Sequence, residues 1–579
     1  MGFGKELDTP GRTQRSEVIA AFALLMLSVV PSFSQDNSIA DKIQTVKAVY
    51  DQGRWEEVVA ATEKAPERPG DFGLYRGLAL SHLERWDEAQ KAFEGSLAHN
   101  PGDTRLMTEL AGLAYRRKDF REAKKYLRCA LAIEPGDAYG NNLLASIYFL
   151  EGNLEAALKF WNRAQKPRLS DLTFEPRPRL NPILLDRAFL FSRGGVWKSS
   201  SFLTTRARLE SLAVFQSQRF DLEAKEDATF GLAFRSTEKP EWWDSPWMAA
   251  ANFASGLPYQ EVYAGFPNLN GAGLLWNSSF RWDDQKRRIL SELAGPLKDN
   301  SAWRYELKVD LRNENWNLTN TLMPATPAPA FVNLEKATLQ AGIQSIPSGQ
   351  WDWSAGFVYS YRRMRNPLGL PAGAATFFTD GSDLGLRGSL RRALVQHPER
   401  RFTLDGRASG EVGTFFREPL GRYFRMAGDL DPRWLPQARG DDYETRLRLR
   451  AGKIFGDVPF DELYVLGFDR DTDLWMRGHP GLSAGQKGSA PLGRAYVLAN
   501  AEIDKVVYHA PFVTFRIGPF VDTGKAYDPS PYFGSQKWMW DTGAQLKIRV
   551  LGSFEFVLGC GKDLRSGRNS YFTSVARSP

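Results

Sequence analysis

The stretch "DLWMRGHPGL" (473–482) places a guanidinium, a glycine and an imidazole in consecutive positions, Arg477, Gly478 and His479, with a proline close behind. Strands and helices are not built this way, so the segment reads as a loop that presents a cation. Carboxylates follow in "ANAEIDKVV" (499–507) and "VTFRIGPFVDTG" (513–524), which supply Glu502 and Asp522. Val513, Phe515 and Ile517 lie on one face of the second strand, and Thr514, Arg516, Gly518, Phe520 and Asp522 lie on the other. A guanidinium can grip a carboxylate through two parallel hydrogen bonds and can also stack on an aromatic ring. Arg477, Asp522, Glu502 and Phe520 therefore have the chemistry of an electrostatic anchor. Gly478 admits backbone torsions closed to other residues, and His479 adds a ring that titrates near neutrality.

Catalytic chemistry is poorly represented. No Ser/His/Asp constellation or GxSxG stands out, and "GKAY" (524–527) lacks the preceding spacing of a phosphate loop. The five histidines show no HExxH spacing, and Cys129 and Cys560 lie far apart, so no metal, disulfide or cofactor is expected. Lys+Arg 75 against Asp+Glu 68 gives a net charge of +7, with the two signs interspersed, which argues against nucleic acid as a partner. The chain reads as a non-enzyme.

An anchor of this kind needs a wall to hold its carboxylates. From about residue 241 the pattern has period two. In "RYELKVDLRN" (304–313), Tyr305, Leu307, Val309 and Leu311 oppose Arg304, Glu306, Lys308, Asp310 and Arg312. "ETRLRLRAG" (444–452) and "QLKIRV" (545–550) repeat the device. A soluble sandwich also alternates, but fully ionised faces on strands of about ten residues suit a wet lumen inside a lipid-facing barrel. Trp242, Trp243, Trp247, Trp282, Trp303, Trp316, Trp351 and Trp353 fall near strand ends, as an aromatic girdle would place them. At roughly 20 residues per strand and loop, 241–579 predicts a transmembrane antiparallel β-barrel of about 16 strands.

Ahead of it, Lys5, Arg12 and Arg15 precede the apolar "VIAAFALLMLSVV" (18–30) and "PSFSQ", a signal peptide over 1–34. No later segment approaches the roughly 18 apolar residues of a membrane helix. Residues 36–165 are helical and repetitive. An offset of 34 residues aligns Gly77, Ala111 and Ala145, then Ala89, Ala123 and Ala157, then Phe93, Leu127 and Trp161. The text "LAGLAYRRKDFREAKKYLRCALAIEPGD" (110–137) resembles a tetratricopeptide repeat, whose period is 34; the resemblance implies an α-solenoid that binds proteins. Residues 166–182 carry four prolines and read as a stiff linker. Residues 183–239 follow with "AFLF" (188–191) as strand, "SFLTTRARLESLAVF" (201–215) as helix, then two strands. This unit resembles a polypeptide-transport-associated (POTRA) domain, so the fold class is multidomain: α-solenoid, small α+β unit, barrel.

The elements around the loop also follow a family order. A proline-aromatic strand and "LG" stand in "GDVPFDELYVLGFDRDTDLWMRGH" (456–479), a Glu-bearing strand in "GRAYVLANAEIDKVV" (493–507), and F-x-D-x-G in "TFRIGPFVDTGKAY" (514–527). This succession resembles the last strands of the outer-membrane assembly-factor superfamily that includes BamA, TamA and the two-partner secretion transporters. "GFPNLNGAGLLWNSSFRWD" (265–283) resembles its first barrel hairpin. The family hallmark is a hydrophobic-Arg-Gly-aromatic tetrapeptide on a loop folded into the barrel, here Met476-Arg477-Gly478-His479. The resemblance implies that Arg477 pairs with Asp522. His479 departs from the usual Phe or Tyr, the chain ends "SYFTSVARSP" rather than on an aromatic, and the repeats occupy the place of further transport-associated units. The implied function is insertion or translocation of unfolded outer-membrane or secreted proteins. The barrel would sit in outer-membrane lipid, with the N-terminal domains binding periplasmic proteins. A polysaccharide-export porin, which also joins such repeats to a barrel, is the alternative.

Overall fold

The computed structural model describes residues 33–63, 70–227, 229–239, 250, 253, 256–323, 329–416, 421–510, 512–535, 537–550 and 554–577. The expected signal peptide, apart from its last two residues, lies outside these, as do Trp242, Trp243 and Trp247. Two compact units divide at 147/148.

The first unit holds α1 (Phe33–Asp51), α2 (Trp55–Glu63), α3 (Gly70–His82), α4 (Trp86–His99), α5 (Thr104–Arg116), α6 (Phe120–Ile133) and the first part of α7 (Ala138–Leu150). Helix starts are set by side chains that satisfy free backbone donors. Asp103 accepts from Arg105 N ahead of α5, and Asp119 accepts from Glu122 N ahead of α6. Ala89, Phe93, Ala111, Ala123 and Ala145 are fully buried. A Cβ on Gly77 would lie 2.2 Å from a ring carbon of Phe93, so only glycine lets α3 and α4 approach this closely.

The second unit begins at Tyr148 and contains α8 (Leu154–Trp161), whose Ala157 and Trp161 are buried. A small α+β fold follows: β1 (Leu169–Glu175), α9 (Pro182–Ala188), α10 (Ser199–Leu212), β2 (Phe215–Ala224) and β3 (Phe230–Glu238). The strand order is β1-β3-β2, with β1 parallel and β2 antiparallel to β3. Two expectations need correction here. The supposed linker over 166–182 contains β1, because its prolines at 167 and 176 flank a seven-residue strand rather than interrupt it. "AFLF" is not a strand: α9 ends at Ala188, and Phe189 packs edge-on against Phe174 and Phe234 at 5.4 and 5.1 Å. That apolar run fills the core instead of extending the sheet.

The wall of the barrel runs through β4 (Glu261–Leu269), β5 (Leu274–Trp282), β6 (Lys286–Leu297), β7 (Asn300–Asn317), β8 (Phe331–Ser348), β9 (Trp351–Leu368), β10 (Gly381–His397), β11 (Phe402–Phe416), β12 (Gly421–Trp434) and β13 (Tyr443–Gly456). The loop from 457 to 494 then carries four two-residue strands, β14 (Tyr464–Val465), β15 (Leu482–Ser483), β16 (Gln486–Lys487) and β17 (Leu492–Gly493). The wall resumes with β18 (Ala495–Ala510), β19 (Val513–Tyr527), β20 (Met539–Val550), β21 (Phe554–Asp563) and β22 (Asn569–Arg577). The barrel is closed and counts seventeen strands among the described residues, of which β15 and β16 belong to the loop. Successive wall strands pair antiparallel, with β13 bridging directly to β18. Fifteen wall strands therefore leave β22 and β4 running in the same direction. Near their junction the Tyr259 hydroxyl donates to Thr573 Oγ1 at 2.6 Å.

Leu307, Val309, Leu311, Ile343, Phe357 and Leu386 stand exposed on the outside of the wall, while Asp310, Arg362, Glu411 and Arg450 are buried on the inside. That inversion of the usual soluble pattern is what a lipid-facing barrel requires. Trp316 does not join the outer girdle. It is 6% exposed and meets Phe460 of the loop edge-on at 5.1 Å, because its position on β7 faces inward. The short turns at one end meet the preceding domain: Arg187 Nη1 donates to Lys298 O at 3.0 Å, Gly349 N to Thr204 Oγ1 at 3.0 Å, and Lys159 Nζ to Glu399 at 3.0 Å.

Candidate functional site

Cross-strand register assembles a row of carboxylates on the inner face. Asp522 of β19 stands opposite Asp541 of β20, and Asp541 stands opposite Asp563 of β21. Like charges directly opposite one another destabilise a sheet, and all three residues are buried. The loop between β13 and β18 brings Arg477, Gly478 and His479 up to them.

Arg477 meets the first carboxylate. Its Nε donates to Asp522 Oδ2 at 2.9 Å, its Nη2 to Oδ1 at 2.6 Å, and its backbone N to Oδ2 at 3.0 Å. Nη1 reaches Glu502 Oε2 at 2.9 Å and Gln545 Oε1 at 3.0 Å. The guanidinium carbon lies 3.8 Å from the centroid of the Phe520 ring, so the cation is stacked as well as paired. Asn500 supplies Asp522 with one more donor at 2.7 Å. Gly478 addresses the second carboxylate through its backbone N, which donates to Asp541 Oδ2 at 2.6 Å. A Cβ on Gly478 would stand 2.6 Å from Asp541 Cγ, so the approach requires glycine. His479 sits between the second and third, with Nδ1 2.9 Å from Asp541 Oδ1 and Nε2 3.6 Å from Asp563 Oδ2. The Nδ1 contact is close but off the hydrogen-bond direction. Met476 fixes the loop from the apolar side, fully buried with Leu466, Leu498, Ala526 and Met539.

Arg477, Gly478, His479, Asp522, Phe520 and Glu502 thus converge. Gly77, Ala89, Phe93, Ala111, Ala123, Ala145, Ala157 and Trp161 lie in the helical hairpins, where their role is packing. Sequence reasoning missed Asp541, Asp563 and Gln545, although inward parity on the strands after Asp522 was a usable signal. It also missed two further attachments of the same loop. Asp471 pairs with Arg281 of β5 at 3.0 Å, Arg288 of β6 at 2.9 Å and Lys487 at 3.0 Å. Asp461 and Glu462 meet Arg362 of β9 at 3.1 and 2.8 Å, while Lys336 of β8 and Arg425 of β12 reach Glu462 at 2.6 and 2.7 Å. The signal was an acidic loop, "FDELYVLGFDRDTD" (460–473), inside a wall whose inner positions carry arginine. Three polar attachments therefore stitch one loop to opposite sides of the lumen. Such a loop crosses the lumen, and detaching it strands buried charges.

At the short-turn end, a cavity of about 1060 Å³ opens among α8, α10 and the β10–β11 and β12–β13 turns. Glu155, Arg206, Arg391, Asp405, Arg433 and Arg446 line it with both signs of charge.

The tetratricopeptide-repeat family model matches residues 82–147. Comparison with curated proteins gives no match. Among solved structures, the chain is similar to BamA from Haemophilus ducreyi lacking POTRA domains 1–3, at 12% identity over 71% of this chain and 84% of that one, with a TM-score of 0.40. CdiB from Escherichia coli aligns at 12% identity over 72% and 75% of the two chains, TM-score 0.47. CdiB from Acinetobacter baumannii aligns at 13% identity over 80% and 86%, TM-score 0.43.

Proposed function

We propose that this chain is an outer-membrane barrel that inserts or translocates polypeptides, using its lumenal loop as a releasable plug. The observation that carries the reading is the triple attachment of the 457–494 loop across the lumen. A passive pore has no use for such a closure. A conduit that opens on demand needs a closing segment with two discrete arrangements, held by contacts that an incoming client can replace. The outward apolar belt supports placement in a membrane, and the order of motifs around "MRGH" supports the outer-membrane assembly class.

On this reading the helical repeats and the POTRA-like α+β unit lie in the periplasm and collect unfolded outer-membrane or secreted clients together with accessory proteins. The mixed-charge cavity at the short-turn end is the entry. Arg477 and Asp522 act as a lock: the pair fixes the loop tip against β19, and its buried charges make partial release unfavourable. The protein does its work by holding and releasing chain segments, without an enzymatic step, and nucleic acid plays no part.

Charge reversal tests the lock. Cells carrying Arg477→Asp or Asp522→Arg should lose barrel assembly or client export, and the double variant should recover it. If both single variants and the double all behave like the unaltered protein, the lock has no functional role.

A further inference from the structure

The permanent cations along the aspartate row are committed at one end. Arg477 is shared by Asp522 and Glu502, and Lys547 lies 2.9 Å from Glu502 and 2.6 Å from Asp504. At the other end, Asp541 and Asp563 stand in direct register with the imidazole of His479 between them. Asp563 is oriented from behind: Arg565 N donates to Oδ1 at 2.9 Å, and Ser566 Oγ donates to Oδ2 at 2.5 Å. Asp541 is fully buried, and its Oδ1 has no hydrogen-bond partner among the described residues. That orphaned oxygen points at an imidazole whose Nδ1 is equally unsatisfied. One ligand atom from each of His479, Asp541 and Asp563 lies within 4.8 Å of the other two.

We infer that His479, Asp541 and Asp563 form a binding site for one divalent transition-metal cation of the Zn²⁺ type. A mixed set of one imidazole and two carboxylates suits a borderline cation. Zn²⁺ accepts nitrogen and oxygen ligands at about 2.0–2.2 Å and tolerates three protein ligands with water in the fourth position. Mg²⁺ and Ca²⁺ prefer sites made wholly of oxygen. The cation satisfies Asp541 Oδ1, separates two adjacent carboxylates and joins the loop to β20 and β21. The histidine thereby has a chemical reason, because two aspartates face it. The backbone bond from Gly478 N to Asp541 Oδ2 and the two donors on Asp563 orient the carboxylates before metal arrives, as supporting hydrogen bonds do in metal sites.

The test uses the full chain in detergent, stripped with chelator, in a Cys129→Ser/Cys560→Ser background that removes the two exposed thiols. Calorimetric titration with Zn²⁺ should give one bound ion per chain, and His479→Phe and Asp563→Asn should each weaken binding at least thirtyfold. X-ray absorption of the loaded protein should show one imidazole and oxygen ligands, and this signature should be absent in His479→Phe. Zn²⁺ should also raise the melting temperature of the unaltered chain and leave that of His479→Phe unchanged. Binding that is undetectable at millimolar Zn²⁺, or equal in all three proteins, overturns the site. Tighter binding of Mg²⁺ or Ca²⁺ than of Zn²⁺ overturns the assignment of cation class. None of these readouts depends on client transport.

Discussion

Arg477→Met isolates the electrostatic part of the loop's attachment. Methionine keeps an apolar stem of similar length while removing the cation stacked on Phe520 and every side-chain donor to Asp522, Glu502 and Gln545. Glu502 retains Lys547 and the amide of Gln545, so its loss is partial. Asp522 is completely buried and retains Asn500 Nδ2 at 2.7 Å and the backbone N of residue 477. Removing one member of a buried pair costs about 3–5 kcal/mol, and the two surviving donors place this case near the lower bound, about 3 kcal/mol. At 1.4 kcal/mol per factor of ten, the detached loop becomes about 10²-fold more populated. Hydrogen exchange read by mass spectrometry on a peptide spanning 476–481, in detergent, measures that opening directly. Protection of Gly478 and His479 should fall about 10²-fold, and protection around Asp461 and Glu462, which rests on other strands, should change little. Adding Asp522→Leu should recover much of the loss, because no stranded charge then remains. A change below about threefold in the single variant would mean that the Arg477 charge does not hold the loop.

Gly478→Ala brings a methyl to 2.6 Å from Asp541 Cγ, and the same peptide should lose protection by an amount matching about 1–3 kcal/mol of overpacking. Asp471→Asn should leave that peptide protected and expose the segment around residues 469–473, since Arg281, Arg288 and Lys487 lose their shared charge. Gly77→Ala forces Phe93 aside and should destabilise the α3–α4 hairpin by about 1–3 kcal/mol, with Phe93→Leu restoring exchange protection in 70–99. Burial holds the Glu109 carboxyl above its usual value, so the folded helices favour its protonated form. Glu109's own contribution to their stability should therefore be present at low pH and be lost as pH rises through the raised value, and thermal melts of Glu109→Gln and the unaltered protein should diverge over that range.

What the sequence reveals depends on whether a contact is local or assembled by register. Alternation along "RYELKVDLRN" is local, and each strand carries its own record of which face meets lipid. The 34-residue offset is visible for a similar reason, since every helical hairpin repeats the same packing problem. Asp522 is legible because parity within β19 places it inward. Asp541 and Asp563 become partners only when three strands are laid side by side, so no single stretch announces the row. The attachment at Asp471 requires knowing that the loop crosses the lumen to β5 and β6, about 190 residues away in sequence. Prolines misled at β1, where they bound the strand instead of breaking it, and apolar density misled at Phe189, which is a core side chain at a helix end.

A photo-crosslinking amino acid at Gln396, in the wall of the short-turn cavity, reports what enters the barrel. In intact cells the expected adducts are with exported or outer-membrane polypeptides. Adducts formed with polysaccharide and none with polypeptide would contradict the proposed function.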